Sequence, residues 1–318
     1  MKINLLQLDD AFKCQQAFTK ACLELQATEI LGSEYSPYFR LWGSDAQFVP
    51  FIEHLKRNFT NSNRNQPVIT FMGSGDFHHV SAFLIGILAE KHNEPITVIH
   101  FDNHPDWVHF DNGVHCGSWV NKALSLSQVD KVITLGVCSK DLNFPEFKGA
   151  NLNAMKEGKI VLLPYTHRPT FAFHSYGKNV GYTQEKRKIV WNNISEMGVE
   201  EFSSLLKKQI KTKSIYITID KDVLSRKEAE TNWDQGEMSL SFMLSVLNKL
   251  FAENNIIGVD VTGDYSTPQY KGSFKTKVMK KLEIIMDQPL HRPDMEMAAN
   301  INQNSNMALL ECFKECLR

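Results

Sequence analysis

The sequence shows no excess of one charge sign. Its 318 residues include 35 lysines and arginines and 36 aspartates and glutamates, a formal net charge of −1 with histidine counted neutral. It also contains no run of five or more residues of like charge. Proteins that bind nucleic acid or an anionic membrane by general electrostatic attraction usually carry a basic excess or a basic block. We therefore expect neither nucleic acid nor a membrane as a partner.

Long apolar runs and a cysteine framework are also absent. Apolar stretches such as residues 96–101 are far shorter than the roughly 20 residues of a membrane-spanning helix. The N-terminal segment reaches Gln7, Asp9 and Asp10 too soon to contain the core of a signal peptide. The six cysteines are scattered and form no Cys-x-x-Cys pair. Reduced thiols in the cytoplasm are the simplest interpretation.

What the sequence does contain is the composition of a folded protein, with 42% hydrophobic and 22% charged residues. No repeat, linker or low-complexity tract divides it, so we predict one domain spanning residues 1–318. The predicted strands are 68–72, 96–101, 131–137, 160–163, 188–191, 214–219 and 256–261. The predicted helices are 11–31, 46–59, 80–91, 199–211, 240–253 and much of 294–317. The predicted loops are 61–67, 144–149 and 164–183.

This alternation of strands and helices predicts the fold class. Parallel strands need crossover connections, and helices in those connections cover both faces of the sheet. We therefore predict an α/β fold with a mostly parallel central sheet. Ligands of such sheets bind beyond the carboxyl ends of the strands, so the residues that follow each strand are the candidates for function.

Four of the predicted strands end in polar residues that can bind metal. The segments are GSGDFHH at 73–79, DNHPD at 102–106, DKD at 220–222 and TGD at 262–264. Asp102, His104 and Asp106 are spaced two residues apart, so an extended backbone points all three to one side. The second Asp-x-Asp segment repeats this spacing. Such a segment alone is often only a solvated turn, but the combination is hard to explain that way.

The chemistry of this set favours divalent cations. Carboxylates and imidazole without thiolates suit ions such as Mn²⁺ or Zn²⁺. Four aspartates at one sheet edge would repel one another unless cations compensate their negative charges. Two divalent ions would balance the charge of the four carboxylates. One histidine of the pair His78 and His79 would complete the site. Two such ions lower the pKa of a bridging water toward neutrality, which makes hydroxide available and predicts hydrolysis as the reaction class.

At these residues the sequence resembles the arginase and agmatinase family, the ureohydrolases. That family uses a Gly-Gly-Asp-His, an Asp-Ala-His-x-Asp and an Asp-x-Asp segment, in that order, to hold two Mn²⁺ ions on an α/β/α sandwich. The resemblance covers residues 73 to about 264 and implies a three-layer, arginase-like fold. The metal ligands that it implies are His78, Asp102, His104, Asp106, Asp220 and Asp222. Asp102 and Asp220 would bridge the two ions, and His79 stays an alternative to His78.

Two catalytic residues follow from the same resemblance. Asp106 would orient the bridging hydroxide by a hydrogen bond. The family's proton-shuttling histidine lies in a His-Gly segment, whose best match here is His115 in the sequence His-Cys-Gly. The interval from Asp106 is shorter than in the family, and the alternative for His115 is a solvent-exposed loop residue.

The substrate-binding position departs from the family pattern. Ureohydrolases place a glutamate three residues beyond the aspartate of the last strand, where it grips the guanidinium group. Counted from Asp260, that position is Gly263 here, and Asp264 follows one step later. We expect Asp264 to bind the substrate cation with a geometry unlike that of a standard arginase, so the substrate need not be arginine.

A further candidate for the substrate pocket is the segment NWDQG at 232–236. A loop at this point would overhang the metal edge, and Trp233, Asp234 and Gln235 would line a pocket for a cationic or amide substrate. The alternative is an ordinary turn before the helix that begins near Ser239.

These residues support three hypotheses, in order of preference. The first is a hydrolase with two Mn²⁺ ions, or Zn²⁺ or another divalent metal, that cleaves a C–N bond of a small cationic guanidino compound. The second is an amide hydrolase, similar to the deacetylases of this general fold, that acts on an acylated amine with one Zn²⁺. The third is a non-catalytic relative that binds a metabolite or a partner. Because ureohydrolases are often trimers or hexamers, the resemblance also implies a homo-oligomer.

Overall fold

We describe a computed structural model of the chain over residues 1–59, 66–290 and 292–317. The predicted loop at 61–67 lies outside the described residues up to position 65. The strands are β1 (Lys2–Gln7), β2 (Thr28–Leu31), β3 (Trp42–Gly43), β4 (Val68–Gly73), β5 (Ile96–Phe101), β6 (Val114–His115), β7 (Val129–Leu135), β8 (Ile160–Leu163), β9 (Thr170–Phe171), β10 (Tyr182–Glu185), β11 (Lys188–Trp191), β12 (Ser214–Asp220) and β13 (Asn255–Thr262). The helices are α1 (Gln16–Glu24), α2 (Ser36–Phe39), α3 (Asp45–Phe59), α4 (Val80–His92), α5 (Trp119–Leu124), α6 (Leu152–Lys156), α7 (Val199–Gln209), α8 (Leu240–Glu253), α9 (Phe274–Asp287) and α10 (Met295–Cys316).

An eight-stranded sheet forms the centre of the molecule, in the order β2-β1-β4-β13-β12-β5-β7-β8. Every neighbouring pair of its strands is parallel. β4, β5 and β12 are buried along their whole length, which is why they read as continuous apolar runs. Two small antiparallel sheets, β10-β11-β9 and β3-β6, lie outside it.

Helices cover both faces of the central sheet. Successive strand residues point to opposite faces, so Val98 of β5 packs in one hydrophobic core and Ile99 in the other. The first core contains side chains of α3, α4 and α5, and the second contains side chains of α1, α7, α8 and α10. The predicted α/β fold, with three layers and a parallel central sheet, is therefore confirmed.

Most predicted elements agree with the structure to within two residues at each end, but the helix predicted at 11–31 is wrong. Helix α1 ends at Glu24, Gln26 adopts a positive φ of 60°, and residues 28–31 form the edge strand β2. Three of the four residues of β2 are exposed, so the strand lacks the apolar pattern that predicts one. The elements that were not predicted are β1, β3, β6, β9, β10, α2, α5, α6 and α9. Within the described ranges, no helix combines the length and apolarity needed to cross a bilayer.

The strand order brings distant parts of the chain to one edge. β4, β13, β12 and β5 are consecutive in the sheet and point the same way, so their carboxyl ends lie side by side. The segments at 73–79, 102–106, 220–222 and 262–264 all follow these four strands. This edge of the sheet is where the candidate site forms.

Candidate metal centre

A cavity of about 710 Å³ opens at the carboxyl ends of the central strands. All six residues that the sequence proposed as metal ligands line it: His78, Asp102, His104, Asp106, Asp220 and Asp222. Five of them are at most 8% exposed, and the side chain of His104 is 14% exposed. The structure thus brings together side chains that are more than 140 positions apart in the sequence.

The first group of donor atoms surrounds Nδ1 of His78. This atom lies 3.0 Å from Oδ2 of Asp102, 3.3 Å from Oδ2 of Asp106 and 3.4 Å from Oδ2 of Asp220. It is buried and has no hydrogen-bond partner among the described residues. Four potential ligand atoms therefore converge without satisfying one another.

The protonation state of His78 is set on the other side of its ring. Its Nε2 lies 2.9 Å from the hydroxyl of Thr218, and that hydroxyl donates to Oδ1 of Asp260 at 2.6 Å. Because the single hydroxyl proton is used in this way, Thr218 accepts from Nε2, so in the neutral ring it is Nδ1 that carries the free lone pair. This is the tautomer that ligates a cation through Nδ1, so the residues present fit a divalent metal.

The second group of donor atoms surrounds Nδ1 of His104. This atom lies 2.9 Å from Oδ2 of Asp222 and 3.4 Å from Oδ1 of Asp102. Asp102 therefore directs one oxygen to each group, and the groups share only this residue. Nε2 of His104 lies 2.8 Å from Oδ1 of Asp234, which orients the ring from the cavity side.

Burial dominates the electrostatics of these carboxylates. It raises the pKa of Asp106 and of Asp220 to about 6, and the negative charge of Asp102 adds to both shifts. Burial also opposes ionisation of Asp102, but the charge and hydrogen bonds of His100 and the hydrogen bond of His104 outweigh it and hold that pKa well below its usual range. Bound cations would replace the protons that these acids otherwise compete for.

The choice between His78 and His79 is decided by the turn that follows β4. His79 is fully buried and packs against the rings of Phe39 and Phe48, at centroid distances of 5.9 Å and 5.3 Å. Burial lowers its pKa well below the usual value. His79 thus belongs to the hydrophobic core, and His78 is the histidine that faces the cavity.

Two residues that the sequence did not point to bind the same carboxylates. Nε2 of His100 lies 2.8 Å from Oδ2 of Asp102, and the indole N–H of Trp119 donates to Oδ2 of Asp106 at 2.6 Å. His100 stands two positions before Asp102 on β5, a spacing that predicts the same face and was a usable signal. For Trp119, 13 positions from its partner, the sequence holds no local signal.

The segment at 232–236 contributes two of its three proposed residues. Trp233 and Asp234 line the cavity. Gln235 does not, because its amide N–H groups donate to the carbonyls of Leu224 and Ala229, within the loop. The segment is therefore more than an ordinary turn before α8, but only part of it faces the cavity.

A buried ion pair holds Trp233 in place. Nε of Arg40 donates to Oδ2 of Asp76 at 2.6 Å, and both side chains are at most 1% exposed. Oδ1 of Asp76 accepts from the indole N–H of Trp233 at 3.0 Å and from the amide of Gln288 at 2.7 Å. Trp233 and Gln288 both line the cavity, so this one carboxylate fixes two of its walls.

The structure does not bring Asp264 to the cavity, which corrects the expectation for this residue. Its carboxylate is buried and forms an ion pair with Lys221 at 2.9 Å, and Gln15 donates to it at 2.8 Å. Gly263 has a φ of 94°, and a Cβ on it would lie 2.3 Å from Oδ1 of Asp220. The family's glutamate position therefore has no room for a side chain, and the next residue points away from the site.

His115 lies in the cavity wall rather than in an exposed loop, with a side chain that is 20% exposed. Its Nδ1 accepts from the backbone N–H of Gly117 at 2.8 Å. The proton is therefore on Nε2, which lies 2.7 Å from Oε1 of Glu283 on α9. His115 is therefore an imidazole held at both nitrogens, with a carboxylate behind it.

Sequence comparison gives two matches. The model of the arginase family matches residues 39–160, a span that includes His78 and the segment 102–106. An uncharacterized protein of Thermotoga maritima is 28% identical over 196 residues, which are 62% of this chain and 58% of that protein. The chain therefore spans less than two thirds of this curated relative.

Solved structures of similar fold cover nearly the whole chain. A hypothetical agmatinase from Burkholderia thailandensis has a TM-score of 0.57 at 15% identity and covers 99% of this chain and 86% of its own. Arginase from Bacillus cereus has a TM-score of 0.58 at 12% identity, with coverage of 96% and 98%. Formimidoylglutamase from Bacillus subtilis has a TM-score of 0.56 at 14% identity, with coverage of 99% and 87%. At these identities the likeness establishes the fold.

Proposed function

We propose that this chain is a member of the arginase family, whose model matches residues 39–160, and that it is a hydrolase that uses two divalent metal ions to cleave a C–N bond of a guanidino compound. The observation that carries the proposal is the pair of donor groups that share Asp102. Each group combines an imidazole nitrogen with carboxylate oxygens, and no thiolate belongs to either, which suits Mn²⁺. Two groups also favour this function over an amide hydrolase with one Zn²⁺.

The proposed ligands divide between the two ions as the donor groups do. His78 and Asp106 would hold one ion, and His104 and Asp222 the other, with Asp102 between them. Asp220, whose Oδ2 lies 3.4 Å from Nδ1 of His78, completes the set. When bound, such ions lower the pKa of water toward neutrality and polarise the substrate's reacting carbon.

The remaining steps use groups of the protein itself. Asp106 would accept a hydrogen bond from the attacking water and so orient it. His115 is the group that we propose to carry a proton to the leaving amine, because its imidazole lies in the cavity wall and its Nε2 lies 2.7 Å from Oε1 of Glu283. Trp233 and Asp234 take over the binding of the substrate cation, through the indole ring and the carboxylate.

The residues of the cavity also restrict which substrates we propose. Gly263 leaves no acid where the family's glutamate grips a guanidinium, and Asp264 is committed to Lys221. Asp234 lines the cavity with a side chain that is 54% exposed, and it is the acid that we propose for the substrate cation. We propose a small guanidino compound that is held differently from arginine in an arginase.

The test is release of urea, or of the corresponding amide, from a panel of guanidino compounds after loading with Mn²⁺. We expect two ions per chain and turnover of at least one compound. Asp102→Asn should lose both metal binding and turnover, because this carboxylate serves both donor groups. Two bound ions with no turnover on the whole panel would contradict the guanidino assignment, and one tightly bound Zn²⁺ would favour the amide hydrolase.

A further inference from the structure

Two buried hydrogen-bond donors lie beneath the carboxylates of the candidate metal centre. Nε2 of His100 lies 2.8 Å from Oδ2 of Asp102, and Nε1 of Trp119 lies 2.6 Å from Oδ2 of Asp106. Both rings are completely buried. Each donor therefore meets a different aspartate of the first donor group, from the side opposite the cavity.

The tautomer of His100 follows from its two neighbours. The carboxylate of Asp102 can only accept when ionised, so Nε2 of His100 carries the proton. Its Nδ1 lies 3.1 Å from the hydroxyl oxygen of Thr134 on β7, within hydrogen-bond distance. The imidazole is thus held at both nitrogens between β5 and β7.

The rings also hold one another. His100 and Trp119 are 4.9 Å apart between centroids in an edge-to-face arrangement, and Trp119 lies 4.9 Å from the ring of His78. His78 and His100 are 5.1 Å apart. Three mutually packed, buried rings therefore lie against the two aspartates.

We propose that His100 and Trp119 are positioning residues that aim the ligating oxygens of Asp102 and Asp106 at the two ions, an inference that rests on the metal pair of the proposed function. The two residues should affect different numbers of ions. Asp102 belongs to both donor groups and Asp106 to the first alone. His100 therefore supports both ions, whereas Trp119 supports one.

The experiment compares Mn²⁺ binding in the full chain by calorimetry and by metal analysis. Trp119→Phe keeps an aromatic ring and removes the N–H. We expect it to lower the affinity for one of the two ions by about 10- to 100-fold and to leave the affinity for the other unchanged. His100→Phe should weaken both ions by a similar factor. His100→Gln should restore much of the affinity, because the amide N–H of glutamine reaches the same carboxylate.

Two control variants separate positioning from general damage. Trp191→Phe makes the same exchange at a buried indole N–H that donates to Thr170 at 2.9 Å outside the cavity lining, and it should leave both affinities unchanged. Thr134→Val keeps His100 but removes the hydroxyl at its Nδ1, and it should weaken both ions by a smaller factor than His100→Phe. Its hydroxyl lies on the far side of the ring from the metal ligands.

The outcomes are separable. If the unaltered protein binds two ions and Trp119→Phe and His100→Phe bind them equally well, the inference is overturned and the proposed function stands. Equal weakening of both ions in Trp119→Phe, with a lowered melting temperature of the metal-free protein, would show a merely structural role. If the unaltered protein binds no pair of ions, the proposed function fails, and the inference fails with it.

Discussion

At the scale of single residues, two pairs of adjacent residues show that sequence neighbours can lie in different environments. His78 faces three carboxylates and His79 packs among phenylalanine rings, although they are adjacent. Likewise, Gly263 lies against Asp220, whereas Asp264 turns to Lys221. In both pairs the local backbone, and not the type of side chain, decides which residue reaches the cavity.

The burial of the Asp264–Lys221 ion pair predicts a purely structural role. Asp264→Asn should lower the free energy of unfolding by about 3–5 kcal/mol, because it leaves the Lys221 ammonium without its charged partner in the core. Its effect on KM should be small. Urea unfolding and steady-state kinetics measure the two quantities.

Asp234→Asn is the matched comparison for this prediction. The side chain of Asp234 is 54% exposed, so this substitution should change the free energy of unfolding by less than about 0.5 kcal/mol. Its KM should rise, because the carboxylate faces the substrate side of the cavity. A large rise in KM for Asp264→Asn with intact stability would reinstate that residue as the binder of the substrate cation.

At the scale of elements, helix α9 is attached to the rest of the molecule by polar contacts. Its one buried residue is Lys280, whose ammonium donates to the carbonyls of Tyr38 and Trp42 at 3.0 Å and 2.8 Å. Glu283, on the same helix, binds His115. Apolar residues such as Leu282 and Ile285 face outward, at 52% and 50% exposure. This inverted arrangement is why the hydrophobic pattern did not identify the helix as part of the cavity wall.

The buried lysine makes the stability of the fold depend on pH. Burial lowers the pKa of Lys280 from 10.5 to about 8. Between these values the unfolded chain binds more protons than the folded one, so the contribution of this residue to stability rises with pH. The substitution Lys280→Met removes the ammonium group and with it this pH-dependent contribution. The difference in free energy of unfolding, wild type minus variant, should therefore increase between about pH 7.5 and about pH 9.5, and a constant difference would contradict the lowered pKa.

At the scale of the whole molecule, the candidate centre joins the two hydrophobic layers through the middle of the sheet. Its ligands follow β4, β5 and β12, which are central strands. Without cations, the structure gathers four buried carboxylates at one point. A ligand that binds only the folded state stabilises it by mass action, so metal and fold should be strongly coupled.

Metal removal should therefore lower the melting temperature. With free Mn²⁺ at 100 times the dissociation constant, the stabilisation is about 2.7 kcal/mol for one site, and a chelator should abolish it. Asp102→Asn should melt at the same temperature with and without Mn²⁺. An equal Mn²⁺-dependent shift in that variant would mean that the metal binds outside the proposed centre. Differential scanning calorimetry provides the measurement.

Much of the fold and of the site could be predicted from the sequence alone. Buried parallel strands are apolar along most of their length, so β4, β5 and β12 were recognisable. Asp102, His104 and Asp106 do line the cavity, but not on the extended backbone that the sequence analysis assumed, because Asp106 has a positive φ of 47°. Edge strand β2 was not recognisable, because its exposed residues leave no hydrophobic signal. The apolar residues of α9 face outward, so their pattern gave no indication that this helix forms part of the cavity wall.

The sequence by itself determined the fold class and the chemical identity of the six candidate ligands, because both depend on local patterns of side chains. The tertiary structure alone decided which of two adjacent histidines faces the cavity, that Asp264 is paired with Lys221, and that Trp119 donates to Asp106. These outcomes depend on the order of β4, β13, β12 and β5 in the sheet and on the backbone turn at each strand end. Such long-range geometry is set by packing, and no local stretch of sequence encodes it.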